Sequence, residues 1–557
     1  MIYWILGIIL IIALIVSFAF YKKWLETKKK IAAIKEKWGK PYYNDVNFNL
    51  VRIYLDSDVN PGKITGTTAN DLDLDNVFAY IDRTNSKPGQ QYLYKKLHDP
   101  ELDIDVLKQL DKDVISLGKD RAKQERIELE LSKLNTTNAF YLPELFVKEQ
   151  QPLFTPLQTS YIQISWIVMI CLIVMLCLVH SQVYFLALLG LAILNTALHY
   201  KNKGKVAQYT HSLPQLLLLN KVGWWLIRNV AVRGNETVLN SLSKIDKLKR
   251  SLLFVNFQNG IGSDPTDIFA AIFEFIKTVF LLEPLMFITS IKRVNKSRKE
   301  IETVYKYVAE IDMLISINSV RIGLPYYAKP EFSASDSELK ITELYHPLVE
   351  NCVANSIFSN VDKGGLITGS NMSGKTTFIR AVALNTLLAQ TIYTCCAKEY
   401  HAPLLNIHTS IRVSDDIEEH KSYFQAEALA VLDIVNKCGI NEPFRSLVII
   451  DEIFRGTNTI ERIAAAKSVL SYLTANRNFV FVSTHDLELA ELLGDEYSVY
   501  SFEELADDKR LVFDYKIKEG LLKNKNGIAI LQSLGYPQSV VNDAGTVSEQ
   551  LREKYQL

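Results

Sequence analysis

The 557-residue sequence predicts two unlike parts: a C-terminal α/β domain built around a phosphate loop, and before it an all-helical region interrupted by apolar helices of membrane length. Three observations lead there. Gly369-Ser370-Asn371-Met372-Ser373-Gly374-Lys375-Thr376 completes a G-x-x-x-x-G-K-[ST] pattern between the apolar run Leu366-Ile367-Thr368 and the helix-like stretch from Phe378 to Leu384. From about residue 336 onward, strand-like and helix-like segments alternate. Upstream, Tyr3 to Phe20, Ile162 to Val179 and Val183 to Leu198 are uncharged apolar runs close to the length that crosses a bilayer.

The strand–loop–helix context is what the phosphate loop needs. Its glycines let backbone N–H groups wrap phosphate oxygens, so Gly369, Ser370, Asn371, Met372, Ser373, Gly374, Lys375, Thr376 and Thr377 are the candidate nucleotide contacts. Lys375 is expected to neutralise the β/γ oxygens, and the Thr376 hydroxyl to sit on Mg²⁺. Downstream, Ser446-Leu447-Val448-Ile449-Ile450-Asp451-Glu452 has the pattern of a fully buried parallel strand ending in two carboxylates. Asp451 is placed to hold Mg²⁺ through water, and Glu452 to polarise the water that attacks the γ-phosphate. A third strand, Phe479 to Thr484, ends at His485, which is expected to contact the γ-phosphate or that water. Together these strand ends predict binding and hydrolysis of a nucleoside triphosphate.

Charge narrows the choice of partners. Lys+Arg and Asp+Glu are 62 each, so no global field draws the chain to nucleic acid, and a DNA-binding surface has to be a local patch. Lys292-Arg293, Lys296 and Arg298-Lys299 form one such basic stretch. The six cysteines show no metal-ligand spacing and read as reduced core thiols. Around the first apolar run the positive charge follows rather than precedes it, at Lys22-Lys23 and Lys28-Lys29-Lys30, which predicts an uncleaved anchor rather than a signal peptide. The second and third runs are separated only by His180-Ser181-Gln182 and predict a tight membrane hairpin. The positive-inside rule then gives a multi-pass protein of the cell membrane, with its N-terminus outside and the nucleotide domain in the cytoplasm.

The expected organisation is an anchor over 1–21, a linker or a small, poorly defined module over 22–71, a helical region over 72–335 containing the hairpin, and the α/β domain over 336–557. Leu107, Leu110, Val114 and Leu117, then Ile127, Leu129, Leu131 and Leu134, recur at helical spacing. The run from Ile268 to Ile291 is apolar but broken by Glu274, Lys277, Glu283 and Pro284, and reads as a core or interface helix rather than a further span.

These residues resemble the ATPase domain of the MutS family, the DNA mismatch-repair ATPases of the ABC superfamily. Tyr345-His346-Pro347-Leu348-Val349-Glu350 looks like the segment leading into that family's nucleotide site, and Thr368 to Thr377 is close to its phosphate loop. Ser414-Asp415-Asp416 with Ser422-Tyr423-Phe424-Gln425-Ala426-Glu427 looks like its signature segment. Asp451-Glu452-Ile453 with Arg455-Gly456-Thr457-Asn458-Thr459 resembles its second carboxylate motif, and Ser483-Thr484-His485 its switch histidine. Gly527-Ile528 and Leu534-Gly535-Tyr536-Pro537 are similar to its C-terminal dimerisation segment, and Leu74 to Pro100 to the start of its helical core, or lever, domain. The resemblance implies an ABC-type ATPase fold, ATP and Mg²⁺ as ligands, and a homodimer in which Ser422 of one chain reaches the nucleotide of the other.

It also has departures. Nothing ahead of Leu72 resembles the family's mismatch-reading domain, and an apolar hairpin occupies the middle of the helical core. Cys352 stands where the family often places an aromatic ring against adenine, and Phe454 replaces a glycine. The expected function is therefore that of a MutS-like, DNA-binding ATPase acting as a nucleotide-switched dimer at the membrane. A membrane-associated, ATP-driven sensor or remodeller without DNA is the alternative. An ABC transporter half is a weaker one, since three spans are few for a translocation path and no L-S-G-G-Q occurs.

Overall fold

The computed structural model describes residues 2–41, 46–57, 63–151, 154–210, 212–257, 275–333, 337–370, 372–412, 423–439, 442–507, 510–521, 528, 531 and 535–555. The N-terminal part is helical and the C-terminal part carries two β-sheets. The described strands, in chain order, are β1 (Glu331–Phe332), β2 (Glu338–Leu344), β3 (Asn355–Asn360), β4 (Gly364–Thr368), β5 (Glu399–Ala402), β6 (Leu405–Ser410), β7 (Arg445–Asp451), β8 (Phe479–Thr484), β9 (Tyr497–Asp507) and β10 (Arg510–Glu519). The smaller sheet has the order β1-β5-β2-β3 and the larger one β10-β9-β4-β8-β7-β6. In the larger sheet only the β9–β10 pair is antiparallel.

The unbroken apolar runs of the central strands follow from burial on both faces. Ile367, Leu447, Ile449, Phe479 and Phe481 point into a core shared with the helical region. Leu366, Val448, Ile450, Val480 and Val482 point into a second core, against Ala466, Leu470 and Leu473 of helix Thr459–Ala475. Neighbours along a strand face opposite sides, so a strand covered twice shows no polar alternation.

The helical region is organised by helix Arg298–Gly323, which buries Val304, Tyr305, Val308, Ile311, Leu314 and Ile315 in the core that also holds Phe78, Tyr94 and Leu97. A fully buried carboxylate, Asp312, sits in this helix. It accepts from the Ser86 N–H at 2.7 Å, the Ser86 hydroxyl at 2.6 Å and the Asn85 N–H at 2.9 Å, and so fixes the start of helix Lys87–His98. Burial pushes its carboxyl up to about 6, opposed by the donors of Ser86 and Asn85. At its other end the same helix meets the α/β domain. Arg321 donates to the Tyr393 carbonyl and the Thr394 hydroxyl, both at 2.9 Å, and pairs with Asp111 at 2.6 Å. Its guanidinium thus caps the C-terminus of helix Lys375–Ile392, where the helix dipole is negative.

The expected linker over 22–71 is not one where it is described. Residues 22–37 continue helix Ile2–Lys37, and Val51, Tyr54, Leu55 and Ile64 are buried in the main core. Asp71 accepts from the Thr409 hydroxyl at 2.7 Å and from the N–H groups of Ile411 and Arg412 at 3.0 and 2.8 Å, which ties this stretch to the end of β6. Mixed charge and Gly/Pro/Asn turns conceal short helices that contribute only a few apolar side chains each.

The second and third apolar runs form helices Pro156–Val179 and Gln182–Thr210, joined by a tight turn at His180, whose φ is +52°. Pro156–Val179 and Gln182–Asn202 are long and apolar enough to cross a membrane. They lie mostly open, with Leu178 72% and Leu186 64% exposed. Near the base of the hairpin, Ile162 packs with Phe154, Leu281, Phe287, Ile288 and Ile291. Asn195 accepts from the Tyr161 hydroxyl at 2.7 Å and the Ser165 hydroxyl at 2.9 Å, and donates to the Val279 carbonyl at 2.7 Å. The described part of the interrupted apolar run from Ile268 to Ile291 is thus packed on the hairpin, while residues 268–274 lie outside the described residues.

Because Asp312 answers three donors in a dry site, Asp312→Ala is expected to lower stability by roughly 3 kcal/mol. Thermal or denaturant unfolding checks this, and a loss below about 0.5 kcal/mol would contradict it.

Candidate nucleotide site

Three parallel strands set the site. In the ladder, Thr368 of β4 lies beside Thr484 of β8, and Ser483 of β8 beside Asp451 of β7. The C-terminal ends of β4, β7 and β8 therefore finish side by side, and the loops that follow them converge. After β4 the chain turns through Gly369 and Gly374, whose φ values of +142° and +102° suit glycine, and enters helix Lys375–Ile392. A Cβ at position 369 would fall 2.8 Å from the Ser373 Oγ and 2.9 Å from the Phe502 carbonyl.

Lys375 is buried, and its Nζ donates to the carbonyls of Gly369 and Ser370 at 2.6 and 2.7 Å. The Thr376 hydroxyl donates to Asp451 Oδ2 at 2.8 Å, and the Ser483 hydroxyl donates to Asp451 Oδ1. Glu452, with φ +53°, lies between two cationic or potentially cationic partners. His485 Nε2 is 2.6 Å from its Oε1, and Arg455 Nε is 2.6 Å from its Oε2. Burial opposes ionisation of Glu452. The His485 hydrogen bond and the charges of His485, Arg455 and Lys375 outweigh that and hold its carboxyl below the usual range. His485 Nε2 also lies 3.5 Å from Lys375 Nζ.

Beside the loop opens a cavity of about 390 Å³. Tyr345, His346, Cys352, Thr377, Phe502 and Tyr515 are among its lining residues. Cys352, at the position where an aromatic wall is expected, lines this cavity, but the exposed ring of Tyr515 comes from β10 and approaches Gly374. Tyr515 sits at an irregularity of the β9–β10 ladder with φ +52°, so nothing in the local sequence announces its direction.

Among the predicted site residues, the structure brings together Gly369, Ser370, Ser373, Gly374, Lys375, Thr376, Thr377, Asp451, Glu452 and His485 around one loop. Met372 is exposed and lines the cavity. Asn371 and Ser422 lie outside the described residues, as do Ser414, Asp415 and Asp416. Sequence reasoning assigns no role to Ser483 as a partner of Asp451, nor to Arg455, Glu427 or Tyr515 as site residues. For Ser483 a signal exists, since it precedes Thr484-His485 at a strand end.

This is the architecture of a phosphate-loop α/β domain, with two acidic residues at the end of the next strand but one in the sheet. Residues 365–552 match MutS domain V. The DNA mismatch repair protein MutS of Petrotoga mobilis is 33% identical over 267 residues, covering 46% of this chain and 32% of that protein. The proteins of the same description from Clostridium botulinum and Clostridium perfringens are each 32% identical over 290 and 284 residues, covering 49% and 48% of this chain and 30% of each relative. The C-terminal part of this chain is thus similar to the corresponding part of the MutS proteins and carries a MutS domain V. The chain spans about a third of the length of the curated relatives it matches.

Proposed function

We propose that this chain is a MutS-like ATPase that works as a nucleotide-switched homodimer at the cell membrane, its ATPase domain in the cytoplasm, with DNA as the partner of its helical region. The observation that carries the ATPase reading is the convergence of Lys375, Thr376, Asp451, Glu452 and His485 at aligned strand ends. The residues present fit a nucleoside triphosphate. Lys375 lies within the loop, the Ser370 hydroxyl is buried without a partner, and the adjoining cavity has an aromatic wall for a base. They also fit a divalent cation: Thr376 and Asp451 offer neighbouring oxygens, the donor set that Mg²⁺ takes alongside phosphate. Mg²⁺, when bound, supplies positive charge against the phosphate oxygens.

On this reading Lys375 turns from the Gly369 and Ser370 carbonyls to the phosphates. Ser483 orients Asp451 for the cation, Glu452 accepts the proton of the attacking water, and His485 steers that water or the γ-phosphate. Ser422 reaches the nucleotide of the opposite subunit. The two exposed hairpin helices support membrane insertion, since apolar surface of that extent is stable only when covered. Helix Ile2–Lys37 is the third membrane element on this reading, its Tyr3, Leu10, Leu14 and Phe18 being exposed.

A membrane-bound sensor or remodeller without DNA is the second reading. It is favoured by the packing of the hairpin base on helix Leu282–Lys296, which runs directly into helix Arg298–Gly323 and so to the Arg321 cap. Of the basic stretch, Lys292, Arg293, Lys296 and Lys299 keep their side chains at least partly in solvent, whereas Arg298 donates to the carbonyls of Phe146 and Val147.

Lys375→Ala is expected to abolish binding of a fluorescent ATP analogue, measured by anisotropy. Glu452→Gln should bind it normally, lose at least about 100-fold in turnover and accumulate as an ATP-bound dimer on sedimentation; normal turnover would remove Glu452 from its role. ATPase rates of the purified full chain without additive, with matched duplex, with mismatched duplex and with liposomes separate the two functional readings. A response to duplex DNA supports the repair-related one, and a response to lipid alone supports the remodeller. Fractionation that leaves the full chain in the soluble pool would overturn the membrane placement.

A further inference from the structure

The loop that carries Glu452 has an unusual backbone and an acidic support beneath it. Glu452 and Phe454 both adopt left-handed conformations, with φ +53° and +63°, which L-residues other than glycine take at a cost. Phe454 also stands where the resemblance would have a glycine. Something must therefore hold the turn. Helix Tyr423–Lys437 supplies it from its first turns.

Glu427 on that helix is buried, and its Oε1 accepts the Phe454 N–H at 2.5 Å. Burial raises its pKa, opposed by the Phe454 hydrogen bond, the Arg455 charge and the N–H groups of Arg455 and Gly456. Its Oε2 has no hydrogen-bond partner. Two apolar contacts brace the same turn. The Phe454 ring meets Phe424 at 6.1 Å between centroids, and a Cβ at Gly456 would fall 2.7 Å from the Phe424 Cβ. The buried Phe454 ring belongs to the core beneath β7, with Val448 and Ile450. Between these anchors the chain presents Glu452 to His485 and Arg455.

We propose that Glu427 is a positioning residue for the reaction: by holding the Phe454 N–H it keeps segment 452–456 in the left-handed turn that aims the Glu452 carboxylate at the phosphate loop. The proposal rests on the reading of Glu452 as the base. It also ties the helix that begins within the signature segment to the hydrolytic residue of the same chain, so a shift of that helix moves Glu452. The bond to Phe454 needs an acceptor oxygen at Oε1, and the side chain of glutamine keeps one, so an amide can replace the acid. Glycine at position 454 adopts the turn without help, so it can replace the clamp.

The test uses the purified full chain and four variants: Glu427→Ala, Glu427→Gln, Glu427→Ala with Phe454→Gly, and Glu452→Gln. Turnover, KM, the Kd of a fluorescent ATP analogue and the melting temperature are measured for each. Glu427→Ala should lose about 30-fold or more in kcat, with Kd and KM within about threefold of the unmodified chain. Glu427→Gln should restore most of that loss, and Phe454→Gly in the Glu427→Ala background should recover at least about tenfold.

Unchanged kcat in Glu427→Ala beside an inactive Glu452→Gln overturns the positioning role alone. Loss of Kd and kcat together, unrelieved by Phe454→Gly, means Glu427 is merely structural and likewise overturns it. Normal turnover in Glu452→Gln removes the base assignment and the proposal with it. If Glu427→Ala does not fold, the double variant and Glu427→Gln carry the test, and an inactive, well-folded double variant that binds nucleotide normally counts against the clamp.

Discussion

The parallel ladder β4-β8-β7 is the constraint on which the rest of the site depends. Its register sets Thr368 beside Thr484 and Ser483 beside Asp451, so the loops leaving three strands arrive at one place. A one-residue slip would send each strand's inward set to the opposite face and separate the Ser483–Asp451 pair. The register is fixed because both faces are buried: Phe479 and Phe481 fill one core, Val480 and Val482 the other. Packing that has no polar atoms of its own thus decides where the polar atoms meet.

Around that ladder, charge is held in closed sets. Glu452 lies between His485 and Arg455, Asp451 between Ser483 and Thr376, and Lys375 is turned back on its own loop carbonyls. Each group is satisfied within the chain, so any ligand that enters has to exchange these contacts for its own. Such exchange is how a ligand gains differential affinity for a second arrangement. The Arg321 cap and the Asp71 acceptor both join the α/β domain to the helical part through buried groups.

The hairpin stands apart from this core but is not loosely attached. Phe287, Ile288 and Ile291 pack with Ile162 near its base, and Asn195 answers the Val279 carbonyl close to where the helical run is interrupted at Leu281, whose φ is +53°. An unanswered carbonyl in an apolar setting is costly, so this side chain gives the docking a defined geometry that apolar packing alone would leave loose.

Much of the site is legible in the amino-acid sequence alone. The phosphate loop, the two carboxylates, the histidine and the apolar hairpin are local patterns whose chemistry requires those residue types at those spacings, and a run of buried strand announces itself by lacking alternation. Other features rest on contacts distant in sequence. The stretch 22–71 reads as a linker because its turns outnumber its apolar residues, yet Val51, Tyr54 and Leu55 complete a core built mostly elsewhere. Tyr515 reaches the cavity only because a ladder irregularity turns it there, and Ser483 meets Asp451 only through register. The support of Phe454 by Glu427 depends on a helix packing under a loop. Sequence by itself determined which chemical groups this protein places on the loop and at the strand ends, because backbone permissiveness, charge and hydropathy act within a few residues. Tertiary structure decided which of them touch, because register and core packing are set by segments that meet only when the chain has folded.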